Sequence, residues 1–336
     1  MKISVLGAGT WGTALAILLA ENKHDVTIWS KLQVEIENLG KNRDSIKNLP
    51  GAILSDEIHL TTDLDEALLE QEIIIIAVAS IYVREAARSI AKKVPHGTII
   101  VNVAKGIEET TLKTLSEVIE EEIPQAEVAV LSGPSHAEEV SRKIPTSIVA
   151  GAKKKMVAEK VQDAFMNDFF RVYTSSDVVG IELGASLKNV IALAAGVVDG
   201  MQLGDNTKAA LMTRGIAEIS RLGIAMGGKY ETFAGLSGMG DLIVTCTSKH
   251  SRNRNAGYLI GQGKTVREAM EEVGQVVEGI LSAKAAYKLG QKYGVELPIV
   301  EQINKVLFEE KSVNDAIYAL LVRQKTEEHN SLVWGE

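Results

Sequence analysis

The chain has 336 residues, 46% apolar and 24% charged, with a formal charge of -8 and one cysteine. That length suggests about two domains, and the acidic balance argues against broad nucleic-acid or anionic-membrane binding, so any anionic ligand needs locally gathered positive charge. A lone cysteine excludes an internal disulfide framework, no basic leader precedes the first apolar run, and the longest apolar runs (Ile73–Ala79, Val190–Val198) fall short of the roughly 18 residues of a membrane span, so a soluble cytoplasmic protein is expected.

The first half alternates strand-like and helix-like segments. Ile3–Leu6 reads as a strand, and Thr10–Ala20 as a helix with alanine and leucine at helical spacing. Asp25–Trp29 follows as a strand, Lys31–Arg43 as a polar-faced helix, Ile58–Thr61 as a strand, and Asp63–Gln71 as a helix capped by Asp63. Ile73–Val78 is apolar without alternation, as a strand is when both faces of a parallel sheet are covered. Ile81–Lys92 (helix), Thr98–Val103 (strand), Thr110–Glu121 (helix) and Val128–Leu131 (strand) continue the pattern; Ser147–Ala150 and Arg171–Tyr173 are weaker strand candidates. This order predicts an α/β chain with an N-terminal Rossmann-type doubly wound sheet.

Near Ser176 the periodicity turns helical. Val178–Gly200 is apolar nearly all round, as a buried core helix is. Asn206–Met226, Val266–Val273, Ile280–Tyr293, Pro298–Glu309 and Val313–Leu321 read as further helices of an all-helical C-terminal domain. The predicted units are 1–175 and 176–336. No Pro/Ser/Gly-rich linker divides them, so they are expected to share a large interface. The polar tail after Gln324 is expected to be loosely ordered.

The turn between the first strand and helix reads GAGTWG, which spaces Gly7, Gly9 and Gly12 as G-x-G-x-x-G. Gly7 permits a tight turn, Gly9 lets backbone approach a pyrophosphate, and Gly12 lets the helix pack on the strand. The free N–H groups of the helix start favour an anion. A ligand-free glycine turn has the same spacing; the strand–turn–helix context favours a dinucleotide. An NAD-preferring site usually carries an acidic residue at the end of the second strand. Here the sequence is Trp29-Ser30-Lys31-Leu32, without a carboxylate. Lys31 can meet a 2′-phosphate, which favours NADP(H) with NAD(H) as the other cofactor; the bland reading is a solvated first-turn lysine.

Four further stretches carry chemistry. In NVAKGIEE, Lys105 follows a predicted strand and lies at the carboxyl edge of the sheet, where open α/β folds bind ligands. In LSGPSHAEEV, Gly133 and Ser135 sit in a turn that can face a ligand. In ELGASLKNVIALAAG, Lys188 shares a helix face with Gly184, Ala192 and Ala195. Burial lowers a lysine pKa; moving it to about 7–8 takes roughly 3.5–4.5 kcal/mol and makes a proton shuttle at neutral pH. The competing reading is a structural ion pair with a carboxylate. In the stretch from Gly235 to Gly257, Asp241 follows a glycine turn, and Ser251, Arg252 and Asn253 bring together hydroxyl, guanidinium and amide groups suited to phosphate. GQGKT is not a P-loop, because Tyr258 stands where the leading glycine is required. Cys246 fits a buried, inert thiol. No metal is expected.

Together, GAGTWGTA, SGPSHAEEV, KNVIALAAGVVDG, GLSGMGDLIVTCTS and HSRN resemble the bacterial NAD(P)-dependent glycerol-3-phosphate dehydrogenases, over roughly Lys2 to Val322. The resemblance implies interconversion of sn-glycerol 3-phosphate and dihydroxyacetone phosphate, in the reductive direction for phospholipid synthesis. It implies Lys188 as proton acceptor, Lys105 between substrate and cofactor, and substrate contacts from Gly133, Ser135, Asp241, Ser251, Arg252 and Asn253. Dinucleotide contacts would come from Thr10, Trp11, Ala137, Arg252, Val276 and Glu278. The chain departs from its relatives at Thr10, often serine, and at Ser30-Lys31-Leu32, where relatives often carry His-Arg. The rival readings are a β-hydroxyacid dehydrogenase of 6-phosphogluconate type and a non-catalytic NADP(H)-sensing protein. A homodimer is the expected assembly.

Overall fold

A computed structural model of the chain describes residues 1–47, 49–325 and 327–328. The expectation for the tail after Gln324 falls largely outside that range. The strands are β1 (Lys2–Leu6), β2 (Asp25–Trp29), β3 (His59–Thr61), β4 (Ile73–Ile76), β5 (Ile99–Asn102), β6 (Glu127–Ser132), β7 (Thr146–Ala152) and β8 (Phe170–Ser175). They form one sheet in the order β3-β2-β1-β4-β5-β6-β7-β8, parallel except for the β6–β7 pair. The chain order reverses between β1 and β4, so a crevice opens beyond their carboxyl ends, at the topological switch point. The four isoleucines of β4 are buried on both faces, in register with β1 and β5.

The helices of this half are α1 (Thr10–Glu21), α2 (Gln33–Lys41), α3 (Leu64–Ala67), α4 (Val83–Ile90), α5 (Leu115–Glu122), α6 (Ala137–Val140) and α7 (Lys155–Phe165). Asp63 caps α3 by accepting from the amides of Asp65 and Glu66. Several elements differ from the sequence expectation. α2 starts at Gln33, because the Ser30 hydroxyl accepts from Leu32 N and turns the chain first; Lys31 therefore precedes the helix. The helix expected from Thr110 starts at Leu115, where Thr114 and Glu117 form a capping box. Ahead of it, Leu112 takes a left-handed φ of 59° within a tight turn closed by an Ile107–Thr114 bridge. The α7 helix and the antiparallel direction of β7 were not anticipated.

The second half comprises α8 (Val178–Gly200), α9 (Asp205–Ala225), α10 (Tyr230–Ala234), α11 (Asp241–Thr247), α12 (Arg252–Gly261), α13 (Val266–Val273), α14 (Glu278–Tyr293), α15 (Pro298–Phe308) and α16 (Val313–Leu321). By length and composition α8 is apolar enough to cross a membrane, but 89% of its most apolar window is buried inside the protein. It packs against α9, α11, α12 and α14. Its first turns also reach the sheet, where Val178 and Ile181 pack on Val130. The stretch around Arg252, which also reads as a polar loop, is helical because Ser251 caps α12 by accepting from Arg254 N.

The α8–α12 contact depends on missing side chains. A Cβ at Gly257 would lie 1.9 Å from the Leu193 carbonyl oxygen, and one at Gly196 would lie 1.9 Å from that of Arg254. These are backbone atoms that cannot rotate away. The close approach carries Ser251, Arg252 and Asn253 up to the middle of α8. Gly257→Ala is expected to destabilise the fold by about 1–3 kcal/mol, read as a lower urea midpoint at unchanged m-value; an unchanged midpoint would mean the helices separate freely.

Candidate active site

A continuous cleft of about 1930 Å³ runs from the α1 turn to α12, between the two halves of the chain. At one end the glycine turn forms its wall. A Cβ on Gly7 would strike the Ala77 carbonyl at 2.6 Å, and one on Gly12 would strike that of Gly7 at 2.1 Å. Both glycines are there for packing, and Gly12 does not line the cleft. A Cβ on Gly9 would meet nothing within 4 Å: it would occupy the cleft itself. Gly9 offers no capping side chain, and the first turn of α1 carries no acidic residue. The open amides of Gly9, Thr10 and Trp11 therefore suit an anion such as a pyrophosphate, with the cleft extending to either side. Ser30, Lys31 and Glu35, just beyond the end of β2, also line the cleft. The Ser30 hydroxyl donates to Glu35 at 2.5 Å, and exposed Lys31 pairs with Glu85 at 3.0 Å.

At the other end three charged side chains converge. Asp241, 1% exposed, opens α11 directly after a π-helical turn over Leu236–Gly240. Lys188 from α8 donates to its Oδ1 at 2.5 Å, and Lys105, three residues beyond β5, donates to its Oδ2 at 2.7 Å. Lys105 also donates to the Gly133 carbonyl at 3.2 Å. Gly133 thus stands behind the cleft wall and acts on Lys105 through its backbone. Lys188 donates a second bond to Thr245 Oγ1 at 2.6 Å, whose own hydroxyl donates to the Asp241 carbonyl at 2.6 Å.

Burial pushes the Lys188 pKa down to about 7; the Asp241 charge opposes that and the Lys105 charge adds to it. Burial alone would raise Asp241, but the charges of Lys105 and Lys188 hold it below the usual carboxylate range. His136 lines the cleft beside them, and burial together with both lysines lowers it to about 4. Its ring therefore stays neutral near pH 7. Lys188 is thus ion-paired with Asp241 and at the same time holds a pKa lowered toward neutrality.

The remaining candidates divide into exposed and committed groups. Arg252 is exposed on the cleft wall, with one long bond from its Nη1 to Gln275 Oε1 at 3.4 Å. Ser135, Ala137, Ser251, Asn253 and Val276 also line the cleft. Ser135 donates to the Gly133 carbonyl at 3.0 Å. The Asn253 amide is largely spent on structure: Nδ2 donates to Asn189 Oδ1 at 2.9 Å and Oδ1 accepts from Gly279 N at 2.8 Å. Glu278, pushed up by burial, accepts from Ser80 N at 3.1 Å and from Ser80 Oγ at 2.5 Å, tying the two halves across the cleft. Sequence reasoning passes over Asn189, Thr245 and Ser80. The four-residue step from Asp241 to Thr245 on one helix face was the signal available for Thr245. Cys246 is buried, and burial pushes its thiol up to about 12.

A glycine turn with open amides at the switch point, continuous with a cleft lined by a buried lysine of lowered pKa, is the arrangement of a dinucleotide-dependent dehydrogenase. Residues 2–158 match the family described as NAD-dependent glycerol-3-phosphate dehydrogenase N-terminus, and residues 177–318 match its C-terminus. The chain belongs to this family of NAD(P)-dependent glycerol-3-phosphate dehydrogenases. It is 58% identical over 333 residues to "Glycerol-3-phosphate dehydrogenase [NAD(P)+]" of Agathobacter rectalis, covering 99% of each chain. To the protein of the same name from Fusobacterium nucleatum it is 55% identical, covering 97% of this chain and 98% of that one. The crystal structure of glycerol-3-phosphate dehydrogenase from Coxiella burnetii superposes with a TM-score of 0.92 at 35% identity, covering 96% of this chain and 99% of that one.

Proposed function

We propose that Lys188 exchanges the proton, Lys105 holds the reacting oxygen and Arg252 anchors the phosphate of an NADPH-preferring glycerol-3-phosphate dehydrogenase. The reaction interconverts dihydroxyacetone phosphate and sn-glycerol 3-phosphate, and its reductive direction supplies phospholipid synthesis. The bound dinucleotide supplies or accepts the hydride. The rival 6-phosphogluconate-type and sensor readings are not favoured, since both halves of the chain match this one family.

The observation that carries the roles is the environment of the Lys188 nitrogen. A neutral amine has two N–H donors and one lone pair. Asp241 and Thr245 take the two donors. The lone pair remains for the side of the nitrogen where Lys105 and the cleft lie, both lysines being lining residues. In the oxidative direction it accepts the proton of the C2 hydroxyl. In the reductive direction the third N–H of the ammonium donates to the ketone oxygen and then gives up its proton to it. Lys105, held on Asp241 and Gly133, adds positive charge beside that oxygen. Arg252 is free to grip the phosphate through its fork, so binding at a group that does not react orients the carbon that does. Ser251 can donate its hydroxyl to the same phosphate while its oxygen caps α12.

For the cofactor, the support for NADPH is Lys31 beside a second-strand end without a carboxylate of its own. Its pair with Glu85 is exposed on both sides and worth at most about 1 kcal/mol, so a 2′-phosphate can displace it. The working division is 1–175 for the dinucleotide and 176–336 for the substrate, which falls between the end of β8 and the start of α8. A cytoplasmic homodimer is the setting we attach to this reading.

Lys188→Ala is expected to lower kcat by about 10²–10⁴ while NADPH binding, followed by fluorescence titration, survives; full activity would remove the proton role. Because the Lys188 pKa lies at about 7, kcat/KM for glycerol 3-phosphate oxidation should rise with pH through that value as the base form fills, and kcat/KM for reduction should fall as the acid form empties. Parallel profiles in both directions would contradict this. Arg252→Ala should raise the KM for dihydroxyacetone phosphate by roughly tenfold or more, the loss of a charged hydrogen bond; an unchanged KM would move the phosphate site elsewhere. Absorbance loss at the nicotinamide band, with each reduced cofactor in turn, tests the preference, and a higher kcat/KM with NADH would reverse it.

A further inference from the structure

Glu182 is a carboxyl that the proposed chemistry does not use. It lies on α8, six residues before Lys188, and is 5% exposed. Its Oε1 accepts from Asn102 Nδ2 at 3.1 Å and from Ser116 N at 2.9 Å. Its Oε2 is buried without a hydrogen-bond partner. Burial pushes its pKa up to about 7, against the Thr114 hydroxyl, Ser116 and Asn102. A buried acid is costly where an apolar residue would fill the space.

Its partner explains the placement. Asn102 closes the end of β5 and is itself buried. Its Oδ1 accepts from Ala104 N at 3.1 Å, and its Nδ2 donates to the Ala104 carbonyl at 3.2 Å. One amide thus grips both polar groups of the residue before Lys105, and the same amide is held by Glu182. A closed circuit results: Glu182, Asn102, Ala104, Lys105, Asp241, Lys188, and back along α8 to Glu182. The two lysines come from opposite halves of the chain. Their ammonium groups alone, on flexible stems, do not define where their backbones stand.

We propose that Glu182 is a positioning residue that sets Lys105 against Lys188 by anchoring the end of β5 to the lysine-bearing helix. It touches neither substrate nor cofactor, and acts through Asn102 and the Ala104 backbone. Lys105 and Lys188 must address one oxygen atom, so a shift of about 1 Å between them costs on the order of 100-fold in rate. This inference rests on the dehydrogenase reading above; turnover of dihydroxyacetone phosphate by the wild-type enzyme tests that reading separately.

The test compares Glu182→Ala, Glu182→Gln and Asn102→Ala in the full-length enzyme. Each is checked for folding by circular dichroism and thermal melting, then assayed with NADPH and its 4-deuterated form. Gln keeps an acceptor oxygen for Asn102 and Ser116, so its kcat should stay within about threefold of wild type, whereas Ala should lose about 30- to 100-fold. In both Ala variants the KM for NADPH should change little, and the deuterium isotope effect on kcat should rise as hydride transfer becomes limiting. A structural role alone would lower melting temperature and leave kcat and the isotope effect of the folded enzyme unchanged, which would overturn the proposal. Equal loss in Gln and Ala would also overturn it, since geometry would not then be rescued by the acceptor oxygen. If Glu182→Ala does not accumulate folded, Asn102→Ala decides; if neither folds, the pair is a folding determinant and the positioning role is refused.

Discussion

Asp241 has almost no contact with solvent, and each of its carboxylate oxygens accepts from a different lysine. A carboxylate buried without a cation is heavily penalised, and here each half of the chain delivers one. Lys105 comes from the sheet and Lys188 from the long helix, and the carboxylate fixes them within reach of each other. Two ammonium groups on one carboxylate leave an excess positive charge in a low-dielectric pocket. That excess, together with burial, lowers the pKa of Lys188. An acidic protein overall thus presents a locally positive site.

Reaching that arrangement requires backbones to approach more closely than side chains allow. Gly196 and Gly257 let α12 lie against α8, which brings the N-terminal turn of α12 and its Arg252 toward Lys188. Gly7 and Gly12 do the same for α1 on β1 and β4. The cleft lies between these two close contacts. Glu278 spans it to Ser80, and the apolar patch of Val130, Val178 and Ile181 joins the halves below it. The interface expected from the absence of a linker is this combination of an apolar floor and polar ties.

The elements easiest to read were those governed by short-range pattern. Val178–Gly200, Val266–Val273 and Val313–Leu321 carry their helical period within their own sequence, and the structure has the same bounds. The unbroken isoleucines of β4 announced a doubly covered strand for the same reason. The reading slipped where side-chain bonds overrode pattern, from nearby at the starts of α2 and α5 and from afar in the turn before α5. The turn before α5 is held by Glu108, whose carboxylate takes a two-pronged bond from Arg84, 24 residues away. The antiparallel direction of β7 depends on which neighbour it finds, and alternation within a strand does not record direction.

The candidate site shows the same division. Sequence determined the kinds of group present: a glycine turn opening a helix, a lysine on an apolar helix, and a hydroxyl, a guanidinium and an amide side by side. Those motifs were enough to resemble one family. Tertiary structure alone decided which of them meet. Lys188 and Asp241 are 53 residues apart, Lys105 and Asp241 are 136 apart, and Asn253 turned its amide to Asn189 and Gly279. The physical reason is that a side chain's chemistry is written in its own atoms. Its pKa and its free valences are set by neighbours, and folding alone supplies the neighbours.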